Sequence, residues 1–267
     1  MKTISLHPPY IYKEKLHLLL VEPYIHISEE IAPTILDILE NNNCVAINSI
    51  KTKRNRAFVL KVYNEELLIK VYFHGGGVKY FLPSMYFFKN RGLDELKFYI
   101  HNLNNQNFVP QYIGAFWIKK MPFYITGTIS KYIPNTEDLE SILTNPHKKS
   151  SEKDIISEKV GSTIRFMHDR GIYHRDLHLK NILIKNPECL ISSEVFIIDF
   201  DKAKIKKTMG LFWRTLNLLR LKRYFFKTEI PLGYYNHILK GYNIQKLSVV
   251  AEILSLPHLL LTKLRSL

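Results

Sequence analysis

The sequence has little cysteine and no long apolar segment. Cys44 and Cys189 are its only cysteines, which excludes a disulfide framework and a cysteine-based metal site and favours a reducing compartment. Residues 1–10 contain two prolines and lack the apolar core of a secretory signal. No apolar run reaches the roughly 18 residues of a transmembrane helix. We therefore expect a soluble or peripheral protein.

Residues 173–184 carry the strongest chemical pattern in the chain. They contain Asp176 and, five positions later, Asn181, and the apolar run 195–198 then ends on Asp199. Phosphoryl transfer needs a carboxylate near the attacking hydroxyl and oxygen ligands for magnesium. Any one of these residues alone is also common in ordinary loops. Their order, after two predicted short strands, predicts Asp176 as catalytic base and Asn181 and Asp199 as metal ligands.

A strand with a lysine and a helix with a glutamate precede this loop. The apolar segment 66–72 carries Lys70, at the position that contacts the α- and β-phosphates in kinases. Residues 87–104 have apolar side chains at helical spacing, with Glu95 near the middle. We predict that Glu95 orients Lys70. Asp94 is the alternative partner, and a solvated lysine at a strand edge is the alternative interpretation of Lys70.

Glycine is absent from residues 1–74. This absence excludes a Gly-x-Gly-x-x-Gly loop before the lysine strand. The basic segment 51–56, between two predicted strands, either covers the phosphates instead or forms an ordinary charged hairpin. The glycines at 75–77 follow the lysine strand, so we expect a flexible turn there.

Two other departures from protein kinases concern the acceptor. His178 stands two residues after Asp176, where protein kinases carry lysine, and Asp201 replaces the glycine that follows Asp-Phe. No Ala-Pro-Glu follows, and residues 202–267 are too few for the usual substrate-binding region of a protein kinase. We therefore predict an acceptor that is not a protein.

Taken together, these motifs resemble the lipopolysaccharide core kinases of Gram-negative bacteria, most closely the branch that phosphorylates the inner sugar 3-deoxy-D-manno-octulosonic acid (Kdo). The resemblance covers roughly residues 55–227, and its most specific part is an Asp-Phe-Asp triplet followed by a basic helix. The family often has arginine in place of Lys70. The related heptose kinases tend to lack the equivalents of Asn181 and Phe200-Asp201. The motifs that carry the resemblance are Lys70-Val71-Tyr72, Glu95, Tyr132-Ile133-Pro134, His174-x-Asp176-Leu177-x-x-x-Asn181, Asp199-Phe200-Asp201-Lys202 and Asn217-Leu218-x-Arg220-Leu221-x-Arg223.

The resemblance implies an α+β, protein-kinase-like fold of two lobes. Residues 1–133 would form a small antiparallel-sheet N-lobe, and residues 134–267 a mainly helical C-lobe. Within the second lobe, the local sequence pattern itself predicts helices at 137–143 and 152–169. A chain of 267 residues, 46% of them hydrophobic, can bury the cores of two such lobes. The resemblance also implies ATP between the lobes and Mg²⁺ as cofactor.

The implied acceptor is lipid A-linked Kdo or a related glycolipid, met at the cytoplasmic face of the bacterial inner membrane by a peripheral enzyme. His178 would contact acceptor or phosphate, Asp201 would be a second metal ligand or a structural cap, and Arg175 would tie the loop to its surroundings. A kinase of heptose or of another small molecule such as an aminoglycoside is the alternative enzyme. An inactive pseudokinase scaffold is the alternative class, against which the intact Asp176, Asn181 and Asp199 argue.

Positive charge is concentrated in residues 202–227, which hold nine Lys/Arg and no Asp/Glu in a chain of net charge +14. The spacing of apolar residues in 210–227 predicts a helix. It is either a core helix with a solvated basic face or a surface helix that meets an anionic membrane or the phosphates of the acceptor. Nucleic acid is the least favoured partner, because the cations follow no known module pattern. The predicted apolar stripe is Phe212, Leu216, Leu219 and Phe226. The predicted polar side is Arg214, Asn217, Arg220, Tyr224 and Lys227.

Overall fold

The computed structural model forms two compact units. The described residues are 8–41, 49–51, 56–72, 86–87, 90–120 and 123–244. The first unit comprises Met1–Gln106 and Pro110–Tyr132, and the second comprises Asn107–Val109 and Ile133–Leu267. In both units, the structure describes only the residues in the ranges given above.

The first unit is built on an eight-stranded antiparallel sheet. Its order is β1-β2-β7-β8-β5-β4-β3, with β6 paired to β8. Apolar side chains alternate along β5, where Leu67, Ile69 and Val71 are buried and Lys70 lies on the opposite face. The strands are β1 (Tyr10–Tyr12), β2 (Leu16–Leu20), β3 (Ser49–Lys51), β4 (Arg56–Val62), β5 (Glu65–Val71), β6 (Tyr86–Phe87), β7 (Tyr112–Lys120) and β8 (Phe123–Lys131).

The α-helices in the described residues of the first unit are α1 (Ser28–Asn41) and α2 (Arg91–Asn102). The predicted helix at 87–104 is shorter than expected. Phe87 lies in β6, and the Asn90 side chain caps α2 by accepting a hydrogen bond from Leu93 N at 3.2 Å. The buried residues of α2 are Gly92, Glu95, Leu96 and Tyr99, so the helix places the Glu95 carboxylate inside the unit.

The second unit is mainly helical. Its helices α4 and α6 pack together along their lengths, and the lack of a side chain at Gly161 allows this approach, since a Cβ there would collide with the carbonyl of Ile238. Residues Thr136–Asp138 form a strand, so the predicted helix at 137–143 begins later than expected, at Leu139. The helices are α3 (Leu139–Thr144), α4 (Ser150–Asp169), α5 (Leu211–Thr228) and α6 (Leu232–Tyr242). The short strands are β9 (Thr136–Asp138), β10 (Ile172–Tyr173), β11 (Ile182–Lys185), β12 (Glu194–Ile197) and β13 (Lys204–Ile205).

The predicted apolar stripe of the basic helix α5 is wrong at three of its four positions. Of that set only Leu219 is buried, and Asn217, which was assigned to the polar side, is fully buried. The reason is tertiary, because donors on neighbouring elements, His168 Nε2 and His174 N, bind the Asn217 Oδ1 inside the core. The buried residues of α5 are Thr215, Asn217, Leu218, Leu219, Leu221 and Phe225.

These features confirm the α+β prediction, with an antiparallel sheet in the first unit and a mainly helical second unit. Within the described part of the chain, no helix has the length and apolar character needed to cross a membrane.

Candidate active site

Asp176 lies on the loop that follows β10. The preceding residue, Arg175, is exposed and adopts a left-handed backbone conformation with φ of 58°. That conformation is uncommon for a residue with a side chain, and it lets the Asp176 N–H turn back to donate to the His174 carbonyl at 2.7 Å. The Asp176 carboxylate is left half-buried, with 23% of the side chain exposed. A carboxylate in that position can still accept a proton from a bound molecule.

His174 fixes this loop from the inside. Its Nε2 lies 2.9 Å from the Ile198 carbonyl, which can only accept, so Nε2 is the protonated nitrogen. Nδ1 is then free to accept from the Asp176 N–H, 3.3 Å away. Burial lowers the pKa of His174 from 6.5 to about 4, although the hydrogen bond to Ile198 raises it in part. The ring is therefore neutral at pH 7, as this tautomer requires.

Asn217 on α5 joins this loop to the helical core. Its Oδ1 accepts from His174 N at 3.3 Å and from His168 Nε2 at 3.0 Å. Since Nε2 of His168 donates, its Nδ1 accepts from the Tyr242 hydroxyl at 2.8 Å. Arg214 in turn donates to that hydroxyl at 3.1 Å. Helices α4, α5 and α6 thus share one buried polar network that holds the backbone beside Asp176.

Asn181 and Asp199 lie at the same end of a hairpin. Ile182 pairs with Ile197 across β11 and β12, so the residues flanking that pair come together. The Ile198 N–H donates to the Asn181 carbonyl at 3.0 Å. The Asn181 side chain donates through Nδ2 to the Asp176 carbonyl at 3.0 Å. This hydrogen bond fixes which end of the amide is Nδ2 and leaves Oδ1 available as a metal ligand.

The donor set at this hairpin suits magnesium. Asp199 has a left-handed backbone with φ of 70°, a conformation that costs roughly 1–3 kcal/mol and is concentrated at functional sites. No cluster of three or more His, Cys, Asp or Glu that could hold a metal occurs among the described residues. Mg²⁺ needs no such cluster, because it binds one or two protein oxygens and completes its shell with phosphates and water. The Asp199 carboxylate and Asn181 Oδ1 therefore fit this ion.

Lys202 is a charged partner of Asp176 that sequence reasoning missed. It ends the single-turn helix Phe200–Lys202, and its Nζ lies 2.7 Å from Asp176 Oδ2. Burial raises the pKa of Asp176, but the hydrogen bond and charge of Lys202 lower it by more, so the carboxyl titrates below its ordinary value. Asp176 is ionised at neutral pH. The one sequence signal was the lysine directly after the Asp-Phe-Asp triplet.

The first unit holds the remaining predicted residues. The Lys70 Nζ lies 4.9 Å from the centre of the Tyr72 ring, and the Arg91 guanidinium carbon lies 4.7 Å from the same ring. Glu95 is buried and accepts from the Tyr112 hydroxyl at 2.7 Å, whereas Asp94 is exposed. The burial favours Glu95 over Asp94 as the structural partner within this unit, and the pairing of Glu95 with Lys70 stays a prediction.

Two further predicted residues lie close to the catalytic loop. The His178 ring packs against Tyr224 of α5 with 4.7 Å between ring centres. Asp201 lies half-buried in the turn that ends on Lys202. The roles predicted for both residues stay predictions. Most of the loop at 51–56 and all of the glycines at 75–77 lie outside the described residues.

Comparison with known proteins shows the family to which the chain belongs. The profile of the lipopolysaccharide kinase (Kdo/WaaP) family matches residues 39–242. The 3-deoxy-D-manno-octulosonic acid kinase of Vibrio cholerae serotype O1 is 33% identical over 186 residues, which are 68% of this chain and 74% of that protein. The protein of the same name from Vibrio vulnificus is 36% identical over 144 residues, 52% of this chain and 56% of the relative.

A solved structure shares the fold. It is described as WaaP in complex with acyl carrier protein, and it aligns with a TM-score of 0.56 at 15% identity over 93% of this chain and 97% of that chain. At that identity the likeness supports the kinase-like fold alone. The family profile covers most of the chain, including the catalytic loop and the hairpin. The chain therefore belongs to the lipopolysaccharide kinase (Kdo/WaaP) family and is an ATP-using phosphotransferase that acts on a sugar hydroxyl.

Proposed function

We propose that the acceptor is Kdo linked to lipid A and that the reaction transfers the γ-phosphoryl group of ATP to one of its hydroxyls. The observation that carries the chemistry is the half-buried Asp176 carboxylate, held 2.7 Å from Lys202 on a loop fixed by His174 and Asn181. The names of the Vibrio relatives support the choice of Kdo.

In the proposed reaction Asp176 positions the attacking hydroxyl and accepts its proton. The hydroxyl oxygen forms a bond to the γ-phosphorus as the bond to the β–γ bridging oxygen breaks, and ADP leaves. The Asp176 carboxylate is ionised before the reaction, so it can accept that proton. The His174 and Asn181 contacts hold it without the cost of reorganising the loop during each turnover.

Asn181 Oδ1 and the Asp199 carboxylate would hold Mg²⁺, which supplies positive charge to the nucleotide phosphates when bound. In the first unit, Lys70 would contact the α- and β-phosphates with Glu95 as its orienting partner. The Tyr72 ring beside Lys70 limits the directions in which this side chain can extend.

We assign Lys202 a role in charge neutralisation. Protein kinases carry lysine two residues after the base, where this chain has His178. Lys202 brings an ammonium to the same carboxylate from a different segment, and its side chain is 55% exposed, so it can turn towards a bound phosphoryl group. Removing a group that stabilises developing charge commonly costs about a hundredfold or more in turnover.

A basic and apolar surface before α5 supports peripheral attachment to the cytoplasmic face of the inner membrane. Ile205 and Leu211 are 46% and 48% exposed, and Lys204 and Lys207 are exposed beside them. Apolar side chains can enter the headgroup region, and each nearby lysine contributes roughly 1 kcal/mol of attraction to anionic lipid. A lipid-linked acceptor would then be met at that surface.

The acceptor is tested with radiolabelled ATP and three defined lipid A precursors: without sugar, with Kdo, and with Kdo extended by heptose. We expect label on the precursor that carries Kdo alone, at the Kdo residue. Label on heptose alone would support the kinase activity but would reject Kdo as the acceptor. Absence of transfer by folded protein that binds ATP would reject the proposed function.

The membrane surface is tested by co-sedimentation with phosphatidylglycerol vesicles. The double variant Lys204→Glu/Lys207→Glu should bind at least about tenfold more weakly than wild type, because two attractive charges become repulsive. The control Lys61→Glu/Lys119→Glu makes the same change in net charge at exposed positions of the first unit. Equal loss in both variants would mean that net charge, and not this surface, drives the binding.

A further inference from the structure

The contact between His178 and Tyr224 brings the middle of α5 to the catalytic loop. The two rings are 4.7 Å apart at their centres and inclined by 34°. His178 is two residues from Asp176, so the outer face of α5 near Tyr224 adjoins the carboxylate that we assign to the acceptor hydroxyl. A sugar whose hydroxyl reaches Asp176 would therefore lie against this face.

Three cations surround Tyr224 on α5. Arg220 and Lys227 lie four residues before and three residues after it, which places these two cations and Tyr224 on one side of the helix, and Arg223 directly precedes Tyr224. The Lys227 Nζ lies 5.7 Å from the centre of the Tyr224 ring, and the Arg223 guanidinium carbon lies 6.0 Å from it. No acidic residue occurs in 202–227 to neutralise them.

None of these three side chains makes an ion pair with any residue that the structure describes. Arg220 has the strongest need for a hydrogen-bond acceptor, because its Nε is shielded from solvent and has no hydrogen-bond partner among the described residues. A buried guanidinium N–H without an acceptor is unfavourable. A bound anionic group would accept a charge-assisted hydrogen bond from it, which is about twice as strong as the bond that a neutral sugar hydroxyl could accept.

We infer that His178, Tyr224, Arg220, Arg223 and Lys227 form the subsite that binds the acceptor sugar through its carboxylate. We call this set the Tyr224 cluster. The inference rests on the proposed function and deepens it, because it names the chemical feature that selects the acceptor. Kdo is an acid, and a heptose is a neutral sugar. The cluster therefore discriminates between the two by charge, with the Tyr224 ring against the sugar and the cations on the carboxylate.

The test combines protein variants with altered acceptors. Arg220→Met and Lys227→Met each remove one cation of the cluster, and Lys227 is exposed, so its replacement leaves the core intact. Lys222→Met is the matched control, since it removes one charge from the same helix, and its Nζ points towards Tyr235 of α6 at 5.8 Å. The acceptors are a water-soluble Kdo glycoside and its methyl ester, which differ only in the carboxylate charge.

Loss of one charge-assisted contact should lower kcat/KM for the acid glycoside by about tenfold to a hundredfold. Each variant should change kcat/KM for the ester by less than about threefold. Lys222→Met should resemble wild type with both glycosides, in its KM for ATP and in its slow hydrolysis of ATP without acceptor.

Three results would overturn the subsite. The first is an equal loss on acid and ester by the folded variants, which would assign the cations to packing. The second is a loss in Lys222→Met as large as in Lys227→Met. The third is a loss seen only with lipid-linked Kdo and not with the soluble glycoside, which would assign the cations to lipid A phosphates.

Equilibrium binding of the two glycosides, measured by calorimetry, separates this inference from the proposed function. If wild type binds the acid glycoside more tightly than the ester and Arg220→Met removes the difference, the subsite is supported even if no turnover is seen. If wild type phosphorylates the glycoside but binds acid and ester equally, the proposed function stands and the subsite is wrong.

Discussion

Acidification should destabilise the second unit through two buried histidines. Burial lowers the pKa of both His168 and His174 from 6.5 to about 4, and the hydrogen bonds to Asn217 and Ile198 offset only part of this effect. In the unfolded chain both rings titrate near 6.5. Between pH 6.5 and 4 the unfolded chain therefore binds protons that the folded chain does not bind. Stability is fully present above pH 6.5 and is lost as the pH falls towards 4.

The size of the effect follows from the two pKa values. At pH 5 each histidine should lower the free energy of unfolding by about 2 kcal/mol relative to pH 8. Together they remove about 4 kcal/mol, which is a large share of the roughly 5–15 kcal/mol of a typical domain. Between pH 6 and 4.5 the two together should give a mean slope of about 2.3 kcal/mol per pH unit, or about 1.2 for one histidine.

The assay is urea unfolding at a series of pH values, followed by tryptophan fluorescence. The chain has two tryptophans, and Trp213 lies in the second unit, 5.3 Å from Tyr173 between ring centres. A Trp117→Phe background removes the tryptophan of the first unit, so the signal reports the unit that contains both histidines. The slope of free energy against pH counts the protons taken up on unfolding.

The variant His168→Gln tests the assignment. Glutamine can donate to Asn217 and accept from Tyr242, but it does not titrate, so the slope should fall by about half whatever the overall stability. The exposed His147→Gln serves as control and should leave the slope unchanged. A His168→Gln protein with the wild-type slope would refute the reasoning.

The remaining predictions concern the site and the helix packing. Asp176→Asn should fold and bind ATP normally but lower kcat by at least about a hundredfold in a steady-state kinase assay, the usual scale for a positioned base; near-normal turnover would remove Asp176 from its role. Asp199→Asn should weaken magnesium-dependent binding of ATP in calorimetry because a charged ligand is lost, and unchanged affinity would contradict the metal assignment. Lys202→Met should lower kcat by about a hundredfold with Lys202→Arg partly active, whereas a rise in kcat would mean that the ion pair with Asp176 inhibits the enzyme. Gly161→Ala should cost about 1–3 kcal/mol in thermal unfolding because its Cβ meets the α6 backbone, and Gly233→Ala, which meets nothing within 4 Å, should be neutral or slightly stabilising.

Local patterns predicted the elements whose stabilising contacts are close in sequence. The long helix predicted at 152–169 matches the observed Ser150–Asp169 to within two residues. The basic helix was located correctly, but its buried face was not. Apolar periodicity identifies the side chains that avoid water. It does not identify a buried polar residue such as Asn217, whose Oδ1 accepts hydrogen bonds from residues on other elements.

The kinase chemistry was determined by the sequence itself. The spacing of Asp176, Asn181 and Asp199 is a property of one continuous stretch, because a single loop and hairpin bring the three together. That stretch was enough to predict a phosphotransferase and to suggest its family.

Only the tertiary structure decided which other groups join that site. Lys202 pairs with Asp176 across 26 residues, and Tyr224 reaches His178 from a different helix. Such contacts depend on how α5 and the turn at Phe200–Lys202 pack against the loop, and no local period in the sequence encodes that packing. The sequence thus determined the reaction, while the packing of distant segments decided the charge beside the base and the face that we assign to the acceptor.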